Sequence, residues 1–122
     1  MDLRSLARLH AAGRVAMGAA LMLVPARIGG RWVGPAGERP EVQVITAALG
    51  ARDVGLGAGV LVTLAQGSGA RPWIAAGVVA DATDLAATLR ARSVLPPPAV
   101  VGVAVLAAGS AAFGLRALRD AG

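Results

Sequence analysis

Four apolar segments, set apart by glycine and proline, make up most of this chain, and no other feature limits its fold so strongly. They run at about 5–24, 42–66, 72–90 and 97–116. Each holds roughly 18 to 25 residues, enough to cross a hydrocarbon layer as a helix rising 1.5 Å per residue. The first stops at Pro25, a helix breaker. The stretch GRWVGPAGERPE, rich in Gly and Pro, reads as irregular backbone before the second. A membrane barrel would show alternation over about ten residues, whereas small residues here recur at helical spacing. The expected fold is all-α, an integral membrane four-helix bundle running up-down-up-down as one domain over residues 1–122.

Composition supports the membrane class. Hydrophobic residues are 56% of the 122, mean hydropathy is +0.65, and aromatic residues are only 2%. A soluble domain so poor in charge would leave large apolar patches in water. All twelve basic residues are arginine, giving a formal charge of +5. They form no long basic block and have no interleaved aromatics to stack on bases, so no nucleic-acid partner is expected. Most lie near segment ends, where they reach headgroups. The lipid bilayer is the expected partner, crossed in several passes. The N-terminus mimics a secretory signal, but Arg14 touches its apolar run and VPARIGG is a poor cleavage site. An uncleaved first span is expected. Arginines divide five against five between the two sides, Arg4, Arg8, Arg71, Arg116 and Arg119 opposing Arg27, Arg31, Arg39, Arg90 and Arg92. Orientation therefore stays open.

The informative residues are charges inside the apolar segments. Arg14 lies near the centre of the first, Arg52 and Asp53 near the centre of the second, and Asp81 near the centre of the third. Alternating spans would bring these centres to one depth, with Asp84 roughly 4.5 Å further along. Each charge would cost on the order of 3 kcal/mol on a lipid-facing helix, so the five must face inward and satisfy one another or line water. Adjacent helical residues point about 100° apart, so Arg52 and Asp53 should find their main partners on other helices. By depth Asp81 belongs with Arg14 and Asp84 with Arg52, with Asp53 between. Gln43, Thr46, Gly50, Asp53 and Gly57 share one stripe, and Gly77, Asp81, Asp84 and Thr88 another. Two arginines oppose three aspartates, so one aspartate should be protonated, or a cation or His10 should balance it. His10 lies one turn from Arg14 on the same face.

A second pattern is architectural. Ala47, Ala51, Gly55 and Gly59 form an i, i+4 track that would let helices approach closely in lipid. Trp32 and Trp73 flank segments as interface anchors. With no cysteine and one histidine, neither a metal site nor a cofactor is expected. GLGAGV contains G-x-G-x-G but follows no strand, so it is not a dinucleotide loop. No nucleophile–base pair appears, and no catalytic residues are assigned.

The run ALGARDVGLGAGVL, with Gly13-Arg14-Val-Ala-Met-Gly18 before it and ADATDLAATL after it, resembles a family of uncharacterised bacterial membrane proteins over nearly the whole chain. The resemblance rests on Ala-Arg-Asp-x-Gly-x-Gly in the second segment and Asp-Ala-x-Asp in the third. It implies four spans in a bacterial cytoplasmic (inner) membrane and no assigned activity. A looser similarity, through Arg14 followed four residues on by Gly18, is to DoxX-like four-helix membrane proteins. The function expected is an accessory or scaffold subunit, a homo-oligomer or part of a larger membrane complex, packing through small-residue faces. The uncharged fourth segment, with Ala104, Ala107, Ala108 and Ala111 on one side, suits such docking. The alternative is a proton- or ion-coupled small-solute permease using Asp53, Asp81 and Asp84.

Overall fold

A computed structural model describes residues 1–120. It is all-α, without strands among the described residues. Five helices follow in order: α1 (Leu3–Leu23), α2 (Pro25–Val33), α3 (Pro40–Ala65), α4 (Arg71–Arg90) and α5 (Pro97–Asp120). A short 3-10 helix, Gly34–Glu38, joins α2 to α3.

Asp2 caps α1, its carboxylate accepting the Ser5 backbone N–H at 2.7 Å. That bond holds the Asp2 carboxyl below its ordinary range. A depressed carboxyl contributes stability above its unfolded pKa and loses it as pH falls through the folded one. Asp2→Ala is therefore expected to fray the first turn, with faster amide exchange at Ser5 and Leu6. Acidification below the ordinary carboxylate range should do the same to the unmodified chain while leaving the variant unchanged.

Pro25 does end α1, but it also begins α2. It lacks the N–H that α1 would need, and at the first helical position that N–H has no partner anyway. The backbone turns by 103° at this break. The expectation of irregular backbone is thus corrected: through Val33 the chain is helical, and the next five residues form the 3-10 turn. Gly34, with φ of +81°, closes α2 in a region that disfavours side chains. Below it the backbones of Gly29 and Gly37 meet so closely that a Cβ at Gly37 would overlap Gly29.

α3 and α5 are each long and apolar enough to cross a membrane. The bent pair of α1 with α2 and the 3-10 turn qualifies as a third span only when taken together. This places the chain among membrane proteins with two or three such spans, short of the four expected. α4 misses the measure because Asp81 and Asp84 interrupt it, and α1 alone is lowered by Arg4, Arg8 and Arg14.

The helices meet in antiparallel pairs. Along α1 and α3, Gly18 lies on Gly50 and Val54, Ala11 and Val15 on Gly57, and Arg4 donates to the Leu64 carbonyl at 2.5 Å. Along α4 and α5, Gly114 receives Val78 and Ile74, and Arg71 donates to the Leu118 carbonyl. The buried apolar residues are mostly alanine (Ala7, Ala11, Ala70, Ala80, Ala107 and Ala117), with Leu21 and Val60. Close backbone approach, rather than large side chains, holds the pairs together. Thr46, Thr63 and Thr83 return their hydroxyls to carbonyls at i−4, so these three donors are satisfied within their own helices. The outer faces carry Val44, Ile45, Val62, Val79, Val101 and Leu115, and only 11% of the apolar window of α5 is buried. Lipid can cover such a surface; water cannot do so without an aggregation hazard.

Candidate functional site

The five charges converge at one level of the helices. Arg14 donates through Nη1 to Asp53 Oδ1 at 3.3 Å and through Nη2 to Asp81 Oδ2 at 2.5 Å. Arg52 grips Asp84 with both terminal nitrogens, at 3.1 and 2.8 Å. Such a two-armed guanidinium–carboxylate pair is among the stronger ion contacts. The adjacent Arg52 and Asp53 do touch, at 3.2 and 3.3 Å, longer than the shorter arm to Asp84. Asp53 Oδ1 thus lies between both arginines and links α1, α3 and α4 into one network. Its side chain is 11% exposed, as is that of Arg14.

Local sequence explains the placement. Asp53 shares the buried face of α3 with Thr46, Gly50 and Gly57, and the glycines bring α1 near enough for Arg14 to reach it. Gly77 leaves room on α4 for the guanidinium, which lies 3.4 Å from where its Cβ would stand. Asp81 is buried on α4 with Gly77, Ala80 and Thr88.

Ser110 on α5 completes the site and is absent from the sequence reading. Its Oγ lies 2.6 Å from Asp81 Oδ2, 3.1 Å from Arg14 Nη2 and 2.7 Å from His10 Nε2. A hydroxyl has one proton to give. When that proton goes to Asp81, His10 must donate from Nε2, so the imidazole, hydroxyl and carboxylate form a continuous hydrogen-bonded chain. His10 also rests against the Phe113 ring, with centroids 4.8 Å apart. A signal was present: Ser110 is the one hydroxyl in α5, on a segment read as uniformly apolar.

The remaining singled-out residues lie elsewhere. Ala51 and Gly55 face outward and Ala47 is half-buried, so the track Ala47, Ala51, Gly55 and Gly59 is not the face that meets α1. The face in use is turned from it and runs through Thr46, Gly50, Asp53, Gly57 and Val60. Only Gly59 of the track is closely packed, beneath the ring of Trp73. Trp32 donates its indole N–H to Thr88 Oγ1 at 3.2 Å, tying α2 to α4. No three His, Asp or Glu side chains converge as metal ligands among the described residues.

The network is the floor of an open groove between α1 and α5, about 800 Å³ in volume. Its walls include Met17 and Leu21 from α1 and Val103 and Leu106 from α5, with Ile28, Arg31 and Trp32 of α2 at one end. Arg14, Asp53, Asp81, Asp84, His10 and Ser110 all line it. α1 and α5 touch little, because each packs mainly on another partner. Comparison with protein-family models, curated proteins and solved structures finds no match.

Proposed function

We propose that this is a four-span, up-down-up-down membrane bundle acting as a proton- or ion-coupled carrier of a small solute, with the Arg/Asp network as its binding floor. The observation that carries this reading is the groove. A network meant only to hold helices together would be sealed by packing, whereas this one opens onto a cavity large enough for a small organic molecule. Two arginines against three aspartates leave one negative charge to be balanced by a proton or a cation. The chain from His10 through Ser110 to Asp81 offers that proton a route. The membrane is a bacterial inner membrane on this reading, in keeping with the resemblance of the two charged motifs.

Uptake into proteoliposomes tests it, with pH and sodium gradients imposed in either direction and a panel of small organic cations, anions and neutral solutes. At least one solute should accumulate in a manner dependent on one of these gradients. Asp53→Asn and Asp81→Asn should abolish uptake while the purified protein still elutes as a single species. If no solute in the panel accumulates, the carrier reading fails.

The uncovered apolar face of α5 favours a second reading, an accessory or scaffold subunit docking through that face. Gentle extraction followed by mass measurement distinguishes it. A stoichiometric partner or a defined homo-oligomer supports docking, and a monomer opposes it.

A further inference from the structure

The groove itself indicates the chemistry of its occupant. Asp53 receives all its hydrogen bonds on Oδ1, and Asp81 receives its own on Oδ2. Asp53 Oδ2 and Asp81 Oδ1 therefore have no donor among the described residues. No occluded side-chain oxygen or nitrogen lacks a partner among the described residues, so neither oxygen is fully occluded, and both residues line the cavity. These are two carboxylate acceptors, at the foot of apolar walls, in a cluster with surplus negative charge.

Resting on the carrier reading above, we propose that the groove between α1 and α5 binds amphiphilic organic cations with an N–H-bearing head, such as alkylguanidinium or alkylammonium ions. The head donates to Asp53 Oδ2 and Asp81 Oδ1, and the tail lies between α1 and α5. Three features of the groove agree on this occupant. An N–H cation balances the surplus charge and fills both vacant acceptors with charge-assisted bonds. An anion would add to the surplus and face bare carboxylate oxygens. The apolar walls continue from Ser110 toward Ala99, roughly 16 Å of helix at 1.5 Å per residue, which suits a chain of methylenes. Arg31 at the far end opposes a second cationic group there and so fixes the polarity of the bound molecule.

Glycines on both walls make the groove testable without disturbing the network. Gly13, Gly102 and Gly109 line it, and a Cβ at any of them meets nothing within 4 Å. A large side chain placed there should fill the cavity and leave the helix contacts intact. Trp32 also lines the groove, whereas Trp73 does not, so a Trp73→Phe background makes indole emission report on the groove alone.

The experiment titrates octylguanidinium, octyltrimethylammonium and octyl sulfate into the Trp73→Phe protein in phosphatidylcholine nanodiscs, following Trp32 emission. Octylguanidinium should saturate, with the other two about tenfold weaker or more, because neither brings an N–H cation to the carboxylates. Gly102→Phe should weaken octylguanidinium by at least about tenfold with an unchanged thermal midpoint. Equal response to all three heads would mean that the tail alone is bound, and the proposal falls. Preference for octyl sulfate overturns it outright. If the emission never changes, none of these heads is bound at the groove and the proposal falls. Proteoliposome uptake confined to anions or neutral solutes would instead keep the carrier and remove only this proposal.

Discussion

Arg14→Met is expected to destabilise the protein more than any other single exchange of a charged residue, by about 3 to 5 kcal/mol. Arg14 is the connection between α1 and α4, and it also faces Ser110 of α5. Its removal leaves Asp53 and Asp81 facing each other's charge in surroundings that are largely dehydrated. Loss of one partner from a buried ion pair is far more costly than loss of a surface pair, because the remaining charge is stranded. Against a typical net stability of about 5 to 15 kcal/mol, the change should be visible as a large drop in thermal midpoint and a loss of single-species elution. Arg14→Lys should recover only part, since one ammonium cannot spread two arms to two carboxylates. Adding Asp81→Asn to Arg14→Met should restore some stability by removing one stranded charge. Arg116→Ala supplies the contrast: its pair with Asp120 is 76% and 47% exposed, and its loss should change stability by less than about 1 kcal/mol. Equal midpoints for the Arg14 and Arg116 variants would show that the network does not hold the helices.

The convergence of these charges was legible because a helix converts sequence position into depth. Arg14, Arg52, Asp53, Asp81 and Asp84 each lie near the middle of a long apolar run, so alternating helices bring them level. Other features were hidden for physical reasons. Proline ends one helix and starts the next by the same missing N–H, so its presence alone did not disclose α2. Two tracks with small residues run along α3, one stepping by four and one by four and three in turn, both helical spacings and turned from each other about the axis. Spacing cannot choose between them. The choice falls to Asp53, which faces inward and carries Thr46, Gly50 and Gly57 with it. Ser110 looked minor in an apolar run, yet three groups from two other helices meet at its oxygen. The groove is legible in no single segment. It arises because α1 packs on α3 while α5 packs on α4.

That pairing rests on glycine, and Gly50→Ala should show how strictly. A Cβ at Gly50 would stand 2.5 Å from the Gly18 carbonyl oxygen, 2.8 Å from Leu21 Cβ and 2.9 Å from Met22 Cγ. The first of these is backbone and cannot rotate away, so α1 must move. Overpacking of this kind costs about 1 to 3 kcal/mol, and Gly50→Leu should cost more. The displacement should also reach the site, because Arg14 spans to Asp53 at 3.3 Å, the far end of hydrogen-bond range, and has little slack to give. Gly55→Ala is the matched control on the same helix. Nothing lies within 4 Å of its Cβ, and alanine is the better helix former by up to about 1 kcal/mol, so its thermal midpoint should hold or rise. Similar losses for both variants would mean that general glycine flexibility, not close approach of α1 to α3, sets stability. A change in oligomeric size confined to Gly55→Leu would assign the outward track of Ala47, Ala51 and Gly55 to contacts between copies. The inward glycines serve the fold of one chain, and the outward track would then serve its association with another.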